Sequence, residues 1–70
     1  MELKGDFKDD IRFALGNILL NNNMYKLAKD IYIEYLYEEE KDQTIIPELL
    51  FNIGFCFYKS NDYENALSFL

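Results

Sequence analysis

The acidic run Glu38-Glu39-Glu40 followed by Asp42 is the densest set of oxygen ligands in this 70-residue sequence, and calcium is the ion such a set would hold. The spacing does not fit. An EF-hand loop alternates its ligands around a central glycine, and the run has neither feature. It falls at a helix C-terminus, where negative charge is mildly unfavourable, so it reads as a solvated loop edge. Asp30 and Glu34 share a polar helix face, but the sequence has no histidine to complete a di-metal carboxylate site. Cys56 is the one thiol, which allows neither an internal disulfide nor a cysteine-based zinc site. It sits among Phe55, Phe57 and Tyr58, with no neighbouring cation or helix N-terminus to activate it, and reads as a small core residue. With no histidine, no glycine-rich phosphate loop and no nucleophile beside an evident base, the sequence predicts no enzyme, no cofactor and no metal.

The charge balance narrows the partners. Thirteen acidic residues face seven scattered Lys and Arg, a net charge of −6. Nucleic acids and anionic membrane surfaces are held by clustered cations, so both are disfavoured. The longest apolar run, Leu49 to Tyr58, is interrupted by Asn52 and Gly54 and covers about half a bilayer span, so no membrane insertion is expected. The charged Met1–Asp10 stretch does not read as a signal peptide, which in a fragment says nothing of the parent's address; the compartment is unknown, with the cytoplasm as the default. Half the residues are hydrophobic and 17% are aromatic, a composition that folds. Three Gly and one Pro supply too few turns for an all-β chain and favour helices.

Those helices can be placed. Met24, Leu27, Ala28, Ile31, Tyr32, Tyr35 and Leu36 recur at helical spacing, with Lys26, Lys29, Asp30 and Glu34 off the stripe. Ile33 and Tyr37 add a second apolar edge. Upstream, Phe7, Ile11, Leu15, Ile18 and Leu19 lie on one side of another helix, for which Asp6 is the expected N-cap. Asn21-Asn22-Asn23 reads as a tight turn, because Asn tolerates left-handed backbone and caps helices. Thr44 is the expected cap of a third helix, with Pro47 tolerated in its first turn. Ser60-Asn61-Asp62 makes the second short turn. The expected helices are 7–21, 24–40, 46–59 and 62–70, an all-α fold whose short connections make neighbours antiparallel.

The sequence also repeats. Sliding it by 38 residues lays Gly16 on Gly54, Leu15 on Ile53, Phe13 on Phe51, Leu19 on Phe57, Asn23 on Asn61, Tyr25 on Tyr63 and Ala28 on Ala66. A mid-helix glycine costs about 1 kcal/mol relative to alanine. Gly16 and Gly54 are therefore expected at close crossings where another backbone passes, with Ala28 and Ala66 as the matching small residues.

At these positions the chain resembles the tetratricopeptide repeat family. In Pro47–Leu70 the pattern falls on Leu50, Ile53-Gly54, Phe57, Asp62-Tyr63, Ala66 and Leu70. In Asp9–Leu36 it falls on Leu15-Gly16, Leu19, Tyr25, Ala28 and Tyr32. The first copy departs at Arg12, where a bulky apolar residue is usual, at Tyr35, where a small one is usual, and in lacking the terminal proline. The usual period is about 34 residues, so the extra length is assigned to Glu39–Thr44. Longer repeats of this kind resemble those of bacterial cell-envelope helical-repeat proteins, which makes the envelope a second candidate compartment.

The resemblance implies helix-turn-helix pairs stacked as an α-solenoid segment, with repeat 1 at about 9–42 and a truncated repeat 2 at about 47–70 of a single domain or fragment. It implies protein or peptide binding on a concave groove lined by the first helix of each pair. Carried over by position, the groove falls on Asp10, Phe13, Asn17, Leu20 and Asn21, then on Glu48, Phe51, Phe55, Tyr58 and Lys59. Phe51, Phe55 and Tyr58 run along a face distinct from that of Leu50, Ile53 and Phe57. They either meet a partner or pack on the preceding helix pair. Asn17 and Asn52 stand where some members of the family hold a peptide carboxylate, but the companion lysine position is Phe13, so that function is rejected.

The reading is a protein-interaction scaffold module. The alternatives are a self-associating structural bundle and a regulatory arm of a larger protein. Exposed Phe69 and Leu70 would each forgo roughly 1.5–3 kcal/mol of burial, so further repeats of a parent chain or a homodimer are expected.

Overall fold

The computed structural model describes residues 5–38 and 42–69, with side chains from residue 11 onward. Its helices are α1 (Gly5–Asn21), α2 (Tyr25–Leu36), α3 (Ile46–Lys59) and α4 (Tyr63–Phe69), with one 3₁₀ turn at Gln43–Ile45 ahead of α3. No strand occurs among the described residues, and the fold is all-α. Each helix packs on the next along the chain: α1 on α2, α2 on α3, α3 on α4.

The turns show how the asparagines work. Asn23 has φ 62° and Asn61 has φ 65°, the left-handed conformation that Asn adopts more readily than most residues. Around Asn23, the backbone N–H groups of Asn23 and Met24 donate to the carbonyls of Leu20 and Leu19 at 3.0 and 2.9 Å. Around Asn61, those of Asn61 and Asp62 donate to Tyr58 and Phe57 at 3.0 and 2.8 Å. Both are Schellman C-caps, satisfying carbonyls that a helix end leaves open. Even the side chains repeat: the hydroxyl of Tyr25 donates to Asn23 Oδ1 at 2.8 Å, and that of Tyr63 to Asn61 Oδ1 at 2.9 Å. The 38-residue offset is thus a repeat of backbone conformation and bonding as well as of residue type.

Several local expectations change. α1 begins at Gly5, which places Asp6 inside the helix and not at its cap. The residue before α2 is Met24, without a side-chain cap, so the Asn triplet ends one helix and does not cap the next. Asp42, not Thr44, is the cap ahead of α3: its carboxylate accepts from the Thr44 backbone N–H at 2.9 Å and from the Thr44 hydroxyl at 2.6 Å. Those bonds hold the Asp42 carboxyl below its ordinary pKa. Pro47 does lie in the first turn of α3, where no N–H is needed. α2 ends at Leu36, short of residue 40, and Glu39–Lys41 lie outside the described residues.

The core is one cluster between α2 and α3: Ala28, Tyr32 and Tyr35 against Leu49, Ile53 and Cys56, all fully buried. Leu49 and Cys56 are therefore the deepest partners of Ile53, where Leu50 and Phe57 were expected and are only half-buried. Phe13, Leu19 and Leu20 of α1 pack on its edge. The expected packed edge at Tyr37 fails: that side chain is 80% exposed beyond the end of α2. The stripe Ile11, Leu15 and Ile18 of α1 also points outward, since Leu19 and Gly16 turn toward α2 in its place.

Candidate binding face

Gly16 is buried, as its crossing role requires, but the neighbour differs from expectation. A Cβ there would lie 2.5 Å from Cε1 and 2.7 Å from Cδ1 of Tyr32. The glycine makes room for an aromatic ring and not for a passing backbone. Ala28 instead joins the fully buried core cluster. Gly54 is buried in α3 and Ala66 in α4. The counterpart of Tyr32 at the 38-residue offset is Leu70, which lies outside the described residues.

Tyr32 also organises two of the polar positions. Its hydroxyl donates to Asn17 Oδ1 on α1 and accepts from Asn52 Nδ2 on α3 at 3.3 Å. One phenol therefore ties three helices together, and both asparagines are engaged inside the protein. Burial pushes the Tyr32 pKa up to about 12, reinforced by the nearby Cys56 and opposed by the Asn52 hydrogen bond. Burial likewise raises the Cys56 thiol to about 11, against a small lowering by Lys29. A thiol protonated throughout the physiological range is a core residue and not a nucleophile.

The remaining groove positions divide. Phe13 lies with its ring centroid 5.9 Å from that of Tyr32 and 6.0 Å from that of Tyr35, so it is part of the α1–α2 packing. Leu20 packs on the core edge, and Asn21 is exposed at the end of α1. Arg12 forms an ion pair with Glu38, tying α1 to the end of α2, which explains a charged residue at a position expected to be apolar. Asp10 lies in α1, and Glu48 is exposed in the first turn of α3.

The α3 positions form a continuous surface with Tyr25 of α2. Phe55 meets Tyr25 edge-on at 6.1 Å and stacks on Phe51 at 6.5 Å. The Lys59 ammonium sits over both Tyr25 and Phe55, at 5.8 and 5.9 Å from their centroids. Tyr58, 54% exposed, contacts Tyr63 at 5.7 Å. Beside this surface, a shallow depression of about 390 Å³ is lined by Asn23, Met24, Tyr25, Lys26, Leu27, Lys59 and Ser60. Sequence reasoning missed Tyr25 as a member of this face, although its repeat partner Tyr63 marked it as a position of fixed geometry.

Among the described residues no His, Cys, Asp and Glu are grouped so as to hold a metal ion, and no helix is long and apolar enough to cross a membrane. Comparison with protein families, with characterised proteins and with solved structures finds no match to this chain.

Proposed function

We propose that this chain is a tetratricopeptide-like module that binds a peptide or partner protein on the face formed by Tyr25, Phe55, Tyr58 and Lys59. The observation that carries the reading is the repetition of one helix-turn-helix unit, turn bonds included, with aromatic rings left half-covered on the first helix of the second unit. A unit of this kind stacks on its neighbours and leaves one side of the stack for ligands. Rings pre-set by stacking and by a lysine lose little freedom when a partner covers them, and such aromatic residues commonly carry binding energy. Phe51 contributes less to the argument. Its counterpart Phe13 packs beside Tyr32 and Tyr35, whereas Phe51 is 58% exposed, so the position itself does not mark a binding residue.

The role proposed is recognition, without catalysis, cofactor or metal. It is tested by placing a photocrosslinking phenylalanine analogue at Tyr58 and, separately, at Tyr37. Both positions are open to solvent, and Tyr37 lies past the end of α2. The reading expects a discrete adduct from position 58 in the source cell and none from position 37. Equal adduct patterns from the two positions would count against it.

A further inference from the structure

The repeat makes the two halves of the chain comparable side chain by side chain, and one difference is large. Leu49, Ile53 and Cys56 on α3 are fully buried under α2. Their counterparts 38 residues earlier are Ile11, Leu15 and Ile18 on α1, which are 52%, 42% and 57% exposed. The same apolar stripe, i, i+4 and i+7, is thus fully covered in one repeat and about half-exposed in the other. What covers it in the second repeat is α2, whose own counterpart is α4. On α4, Tyr63 is 55% and Leu67 77% exposed. They stand where α2 has Tyr25 and Lys29, the residues that touch Phe55 and Phe57 of α3.

We propose that α4 of one copy seats on the Ile11, Leu15 and Ile18 stripe of a second copy, reproducing the α2–α3 contact between chains. The α1 stripe is the repeat counterpart of a surface that already packs, and on α4 Tyr63 and Leu67 stand at the positions of two α2 residues that touch α3. The inference rests on the 38-residue equivalence and not on what the aromatic face binds. Because the two surfaces differ, the contact is head-to-tail and does not close on itself as an isologous dimer would. Association then adds units at both ends.

The test is sedimentation velocity of the whole chain over a concentration series, with Ile18→Glu blocking the α1 face and Leu67→Glu blocking the α4 face. The expected result is a weight-average mass that keeps rising with concentration for the unsubstituted chain. Each variant alone stays monomeric. An equimolar mixture of the two forms a dimer and stops there, since one open surface of each kind remains. Both positions are solvent-exposed; Ile11→Glu and Tyr63→Glu replace either variant that loses its helical circular dichroism. A monomer at every concentration overturns the proposal and assigns the stripe to a helix from elsewhere. So does a variant that self-associates like the parent, or a mixture that fails to pair.

Discussion

Gly16 lies directly beneath the ring of Tyr32, so close that a methyl group at residue 16 would stand 2.5 Å from Tyr32 Cε1. Alanine is otherwise the better helix former by about 1 kcal/mol, so Gly16→Ala sets propensity against overpacking. Tyr32 is fully buried and its hydroxyl is held by two asparagines, which leaves the ring little room to move. Gly16→Ala is therefore expected to lower stability by about 1–3 kcal/mol. The check is the urea midpoint, repeated with Tyr32→Leu. The alanine should cost clearly less once the ring is gone, a coupling expected of residues in contact. A neutral or stabilising Gly16→Ala would remove the crossing from the account. Gly54→Leu, at the buried counterpart on α3, is expected to cost a similar about 1–3 kcal/mol.

The two left-handed asparagines make a paired prediction. At φ 62° and 65° a β-carbon is unfavourable, and glycine bears no such cost. Asn23→Ala and Asn61→Ala should each destabilise by about 1 kcal/mol. Asn23→Gly and Asn61→Gly should be close to neutral, although each loses the bond from its tyrosine hydroxyl. Thermal melts of the four variants decide, and equal effects of Ala and Gly at either site would contradict the turn geometry.

Stability should fall on the alkaline side. The Cys56 thiol is raised from 9.0 to about 11 and the Tyr32 phenol from 10.0 to about 12. Both groups are neutral when protonated, and both lose their protons more easily in the unfolded chain. Above pH 9 and then above pH 10 the unfolded state binds fewer protons than the folded one, so stability decreases with rising pH, by at most about 1.4 kcal/mol per unit for each group. The loss is complete by about pH 12, where the folded groups also ionise. Urea midpoints from pH 7 to pH 11 should show this decline. In Cys56→Ala with Tyr32→Phe, the part of the decline due to these two groups should vanish. An identical slope in that variant would contradict the assignment.

Helix number, type and approximate position were legible in the sequence because apolar spacing and Asn-rich turns are local signals. The repeat was legible too, since it needs only a comparison of the chain with itself. The orientation of α1 was not. Ile11, Leu15 and Ile18 look like core residues by type and spacing, and only the packing of α1 on α2 shows that Gly16 and Leu19 face inward in their place. The expected groove positions part company in the structure. Phe55, Tyr58 and Lys59 came from position in the repeat, whereas Phe13 and Asn17 are claimed by Tyr32, a contact between residues far apart in sequence. Asp42 in place of Thr44 is a smaller instance: both can cap, and three-dimensional placement selects one.

The proposal that the Tyr25, Phe55, Tyr58 and Lys59 face binds a partner is tested most directly with Phe55→Ala, measuring partner binding and melting temperature on the same preparations. Phe55 is half-buried on Tyr25 and Phe51 at the surface, outside the fully buried cluster of α2 and α3. Binding is expected to fall at least tenfold, about 1.4 kcal/mol or more, with a smaller change in stability. If instead the melting temperature collapses and binding is lost only as the protein unfolds, Phe55 is core and the proposed face is wrong.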